Sequence, residues 1–212
     1  MYVPKHFAVT DPEELRAFIS ANRFALLISD DDGTPFATHL PFLIDQDEHG
    51  DLRLSGHVAR ANPHANLLQN GGEHLVIIWG PHAYISPSWY QATPNVPTWN
   101  YATVHIYGEI QVVETPELIE ILQATVITEE SVIENKEPWQ MDSLSADYIE
   151  KMARAIVGFR LKPTRIQGKW KMSQNRSVED AKGAAEHLSA EQHPDQIETA
   201  RIMQNLLDKR TK

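Results

Sequence analysis

The side chains able to do chemistry in this 212-residue chain are ten histidines, a group of aromatics between Pro81 and Gly108, and two runs free of acids; cysteine is absent. Without a thiol there is no disulfide, thiolate zinc site, iron–sulfur cluster or cysteine nucleophile. Redox chemistry therefore requires a bound cofactor. His57, His64, His74 and His82 are the metal candidates, but they lack H-E-x-x-H spacing and no carboxylate stands at a ligand interval. No metal site is expected. The chain also has no GxSxG elbow, P-loop or GxGxxG turn, which argues against hydrolase, NTPase and Rossmann readings.

Trp89, Trp99, four tyrosines and four prolines lie between Pro81 and Gly108. In its second half Ala102, Val104, Ile106 and Gly108 alternate with Tyr101, Thr103, His105 and Tyr107. A period of two predicts a strand with one aliphatic face and one aromatic, hydrogen-bonding face. That second face, next to Trp99 and Asn100, has the rings and polar tips that line a site for a planar ligand. The alternative is that these rings are core packing. Prolines 81, 87, 94 and 97 predict an extended, rigid loop over the first half.

The acid-free run Leu52–Gly72 holds Gly56, His57, Arg60 and His64, with Asn62 and Pro63 starting a helix expected to end at Gly71. A helix start with exposed amides, preceded by Gly56, His57 and Arg60, suits a phosphate. The bland alternative is a capped helix with a surface arginine. The second run, Arg160–Arg176, carries six cations and no acid. A flat phosphorylated cofactor fits all of these features. Its ring would lie along the aromatic strand, its phosphate would meet Arg60, His57 and the amides after Asn62, and its polar edge would meet the backbone of Thr38, His39, Leu40 and Pro41, or Lys171 and Gln174. That is the physical case for FMN.

The elements that must hold these residues read as follows. Thr10, Pro12 and Glu13 predict a helix start with a capping box, and Leu15, Phe18 and Ile19 its buried stripe. Phe24–Ser29, an acidic turn at Asp30–Gly33 and Pro35–Ile44 predict strand, turn and strand, followed by a strand over Leu52–Val58. His74–Gly80 is an apolar strand, and the strand from Thr98 extends to Glu114. Helices are expected from Thr115, from Ser145 to about Arg154, from Ser177, and over Pro194–Lys209, where Ile197, Met203, Leu206 and Leu207 form one side. Glu129–Ser143 reads as a loop, and Ala155–Pro163 as the last clear strand. The pattern is mainly β (α+β): a β-barrel with peripheral helices and a helical C-terminal extension. The expected division is a barrel over residues 1–176 and an extension over 177–212.

The net charge of −10 disfavours non-specific attraction to nucleic acid. No 18-residue apolar run exists and the opening MYVPKHF lacks a signal-peptide layout, so no membrane association and a cytoplasmic location are expected.

The opening MYVPKHF, then THLPF, GHVARANPH, YISPSWY with VPTWNY and VHIYG, and GKWKMSQN stand in an order that resembles the PaiB-type FMN-binding negative transcriptional regulators, from Met1 to about His187. The resemblance implies a split β-barrel related to pyridoxamine-phosphate-oxidase-like flavoproteins, a homodimer with FMN at the subunit interface, and a repressor role with DNA as partner. It implies that Thr38, His39, Leu40 and Pro41 lie beside the ring and that Gly56, His57, Arg60 and Asn62 hold the phosphate. Trp99, Asn100, Lys171 and Gln174 contribute from around the interface. Where related flavoproteins often carry a glutamine before V-x-I-x-G, this chain has Thr103.

Two rival readings stand beside the regulator. One is an FMN-dependent oxidoreductase, with His39 and His105 as the only acid or base candidates and a structural role as the alternative for each. The other is a haem-binding or haem-degrading split barrel. No helix-turn-helix is present, so any DNA surface falls to Arg160–Arg176 and the C-terminal helices.

Overall fold

The computed structural model describes residues 1–210. Eight strands form one sheet in the order β3-β2-β6-β7-β8-β5-β4, with β1 on β8. The strands are β1 Ala8–Val9, β2 Phe24–Asp31, β3 Thr34–Pro41, β4 Leu43–Gln46, β5 Leu52–Ala59, β6 Glu73–Ile85, β7 Thr98–Val112 and β8 Ile156–Lys171. Six helices accompany them: α1 Pro12–Ala21, α2 His64–Leu67, α3 Thr115–Glu130, α4 Ala146–Ala153, α5 Val178–Ser189 and α6 Pro194–Arg210. The β2–β3 hairpin keeps register from Phe24 opposite Pro41 to Asp31 opposite Thr34. Its turn is closed by Asp30, whose Oδ1 accepts the Gly33 amide at 2.8 Å, with Asp32 and Gly33 at φ 49° and 84°. The short acidic side chain and the glycine supply the left-handed conformations that such a turn requires.

The chain divides into two compact units. One comprises Ile19–Ile78 and Ile106–Ile166; the other comprises Met1–Phe18, Trp79–His105 and the part from Gln167 onward. In the first, β5 pairs with β8 from Leu54 opposite Leu161 to Ala59 opposite Ile156. Leu27, Leu54, Val76, Phe159 and Leu161 are fully buried, and Phe42 meets Phe159 edge to face at 6.1 Å. A satellite cluster of Leu43, Val113, Leu118, Ile121 and Ala153 seats α3 and α4. In the other unit, Trp170 packs on Phe18 at 4.4 Å, and its indole donates to Glu14 at 3.1 Å. There α5 packs on α6, and Ala181, Ala184 and Ala185 keep the buried face of α5 small.

Several boundaries differ from expectation for identifiable reasons. The cap of α1 is Asp11, whose Oδ1 accepts the amides of Glu13 at 2.9 Å and Glu14 at 3.3 Å, rather than Thr10. The α2 helix is a single turn and stops well before Gly71. The stretch 81–85, expected as loop, continues β6, so Pro81 sits within a strand. The strand expected over Pro35–Ile44 breaks at Phe42 into β3 and β4, and β8 runs unbroken to Lys171. On α6 the buried residues are Thr199, Ala200, Met203 and Leu207, while Ile197 is exposed. The caps at Ser145 and Ser177 are where expected, accepting from Tyr148 at 3.4 Å and Asp180 at 3.1 Å.

Candidate functional site

Eight of the expected site residues lie in the unit built on β2, β3 and β5. Thr38, in the middle of β3, is half-buried, and its Oγ1 accepts from Asn62 Nδ2 at 3.2 Å and meets His64 Nδ1 at 2.8 Å. Asn62 Oδ1 accepts the His64 amide at 2.9 Å. One side chain thus caps α2 and ties it to β3. His39 is exposed and stacks on Phe24 with ring centroids 6.3 Å apart; Pro41 is also exposed. Leu40 points inward at 4% exposure.

Gly56 lies under Leu40. A Cβ there would stand 3.0 Å from Leu40 Cδ1 and 3.1 Å from Phe159 Cζ, so the missing side chain makes room for two core residues. His57, the next residue on β5, is half-buried, and burial lowers its pKa, favouring the neutral ring. Arg60 follows β5. Its Nε and Nη2 donate to the carbonyls of Arg154 and Ile156, each at 2.8 Å. The Arg154 carbonyl lies at the C-terminal end of α4, where a cation is stabilised by the helix dipole. Arg60 is otherwise exposed, and its Nη1 protons take no part in these bonds.

The other four residues lie in the unit that contains the start of β7 and the end of β8. Trp99 is 55% exposed, with His82 and Tyr84 at ring distances of 6.1 and 5.9 Å. Asn100 is fully buried; its amide donates to Ser173 Oγ at 3.0 Å and approaches Met203 Sδ at 3.3 Å. It ties β7 to the end of β8 and to α6. Lys171 Nζ donates to the Trp99 carbonyl at 2.7 Å and to Thr98 Oγ1, and desolvation lowers its pKa. Gln174 braces the turn after β8, accepting the Met172 amide at 2.7 Å and donating to the Trp170 carbonyl. The alternation on β7 holds except at Thr103: Ala102, Val104 and Ile106 are buried and Tyr101, His105 and Tyr107 are half-exposed, but Thr103, expected on the open face, is buried at 8% exposure. Trp89 is a packing residue, its carbonyl 2.7 Å from where a Cβ on Gly183 of α5 would stand.

The cationic run is not an open patch. Arg160 pairs with Glu117, Arg165 lies over Tyr107 at 3.7 Å and faces Glu73, and Arg176 donates to Asn95 at 2.6 Å. Lys169 is 8% exposed and donates to the Tyr2 carbonyl at 3.1 Å.

Sequence reading did not anticipate the link among Ser29, His64 and His74. Ser29 Oγ lies 2.7 Å from His64 Nε2 and 2.6 Å from His74 Nδ1, and all three residues are buried. Spacing carried no signal for it, because the three come from β2, α2 and β6 and meet only through the fold. Among the described residues no group of three or more metal-ligating side chains gathers. No helix among them is long and apolar enough to cross a membrane.

Antiparallel strands in this order with peripheral helices form the split β-barrel of flavin-binding proteins. The solved flavocytochrome Anf3 of Azotobacter vinelandii matches with a TM-score of 0.55 over 80% of this chain and 72% of its own, at 17% identity. The FAD and heme binding protein of Mycobacterium smegmatis matches at 0.53 over 77% and 73%, at 15% identity. At such identities the likeness is one of fold. The model of the "Putative FMN-binding domain" family matches residues 1–165, and the chain belongs to that family. FMN is the cofactor this membership assigns. The chain is also 39% identical over 210 residues to the Bacillus subtilis Protease synthase and sporulation protein PAI 2, covering 99% of each.

Proposed function

We propose that this chain is an FMN-dependent negative regulator of transcription of PaiB type, acting as a cytoplasmic homodimer. The observation that carries this reading is the end-to-end similarity to the Bacillus subtilis sporulation protein. The residues present suit a flavin phosphate. Arg60 is held by two backbone carbonyls with Nη1 protons to spare, and Asn62 and Thr38 are held by each other. Trp99, with His82 and Tyr84, offers an exposed aromatic surface suited to a flat ring. His57, Arg60 and Asn62 would hold the phosphate, and the bound flavin would supply a redox-active ring. Arg60 has a second role at the end of α4, so its loss should weaken both FMN retention and the local fold.

The test is the absorbance of the purified protein followed by a fluorescence titration with FMN. A yellow protein, or an apoprotein that takes up FMN, is expected, with affinity lowered about ten-fold or more in Arg60→Ala. An unchanged Kd in that variant would remove Arg60 from the site. A promoter-DNA gel shift that weakens with salt supports regulation by direct contact, whereas no shift or a salt-insensitive one counts against it. Anaerobic NADH or NADPH that bleaches the flavin at catalytic speed would favour the oxidoreductase, and a Soret shift on adding haem would favour the haem protein.

A further inference from the structure

A string of five polar side chains, three of them buried, runs through the β2/β3/β5 unit. Asn62 Nδ2 meets Thr38 Oγ1 at 3.2 Å, Thr38 Oγ1 meets His64 Nδ1 at 2.8 Å, His64 Nε2 meets Ser29 Oγ at 2.7 Å, and Ser29 Oγ meets His74 Nδ1 at 2.6 Å. His64 is 0% exposed, and Ser29 and His74 are 3% exposed. Hydrogen-bond chemistry gives the string a direction.

Asn62 Oδ1 already accepts the His64 amide, so the group facing Thr38 is the NH2 donor. Thr38 accepts there and passes its own proton to His64 Nδ1. Burial, with a smaller contribution from His74, lowers the pKa of His64 to about 4, so the ring is neutral; with Nδ1 accepting from Thr38, its one proton is on Nε2. It donates that proton to Ser29. Ser29 has a single proton, which then goes to His74 Nδ1. His74 is left with its proton on Nε2, an atom with no partner among the described residues. In the reverse direction the same His74 atom is an unpartnered acceptor, Thr38 accepts from both Asn62 and His64, and its own proton has no protein partner. With Ser29 accepting from one ring and donating to the other, the two histidines hold the same tautomer.

We propose that His64, Ser29 and His74 are positioning residues: their donor string, headed by Asn62, locks both imidazoles as Nε2–H tautomers and so, through Thr38, orients Asn62 toward a phosphate ester. For its ligand this rests on the FMN reading; for its geometry it does not. The hydroxyl proton of Thr38 is committed inward, so the donor left for phosphate oxygen is the second Nδ2 proton of Asn62.

Imidazole 15N–1H correlation spectra of the apoprotein test the string directly. Both His64 and His74 should show the Nε2–H pattern, and Ser29→Ala should uncouple them while weakening FMN about two- to ten-fold, the worth of one hydrogen bond. Ser29→Thr, which keeps a hydroxyl, should restore both readouts. An Nδ1–H pattern on either ring of the wild-type protein, or unlike tautomers, overturns the proposal, as does an unchanged FMN Kd in a folded Ser29→Ala. If the wild-type protein takes up no FMN, the FMN reading fails, and the tautomers still decide the string.

Discussion

At the scale of single residues, the site candidates divide by what already engages them. Asn100, Gln174 and Lys171 have their polar atoms bonded to neighbouring backbone and side chains, whereas Arg60 and Asn62 retain donors. At Gly56 the space where a side chain would stand is taken by Leu40 and Phe159. Gly56→Ala should destabilise the protein by about 1–3 kcal/mol, read as a lower urea midpoint, because the added methyl overpacks a full core. His64 predicts a pH dependence. Its folded pKa of about 4 lies below the ordinary 6.5, so between those values the unfolded chain binds a proton that the folded chain refuses. Stability therefore falls as pH drops through that window, by about 3 kcal/mol from this group. Urea midpoints from pH 7.5 to 4 should show the loss, and a flat profile would contradict it.

At the scale of elements, hydrophobic period and cap chemistry were legible wherever the partner was local. The β7 alternation and the Ser145 and Ser177 caps followed from residues a few positions apart. The α1 cap was assigned one residue early, because Thr10 and Asp11 are both good caps and only backbone geometry chooses between them. Asp11→Ala should cost about 1 kcal/mol of stability, and Thr10→Ala should cost little; the reverse order in thermal melts would restore the sequence reading. Pro81 was read as a loop former, yet it stands within β6, a position open to proline only where its missing amide takes no ladder bond. Asp180, in the first turn of α5, accepts the amides of Gln91 and Ala92 at 2.7 and 3.2 Å, which nothing in the local sequence announces.

For the molecule as a whole, the acidic balance and the engaged cations point the same way. With a net charge of −10, and with Arg160, Lys169, Lys171 and Arg176 each bonded within the protein and Arg165 facing Glu73, little free positive field remains for nucleic acid. Non-specific duplex DNA should show no retardation at about 0.15 M salt, and a strong shift there would overturn this account of the charge.

By itself the sequence determined the β-rich class, most helix starts, the aromatic face of β7, the absence of thiol chemistry and, through its ordered motifs, the flavin family. These depend on period, capping and composition, which act over a few residues. Only the tertiary structure decided which polar groups remain open: that Arg60 leans on α4, that Asn100 is sealed against Met203, and that Ser29 joins two histidines. Each of those bonds joins residues 35 or more positions apart, and no local pattern encodes a partner at that range.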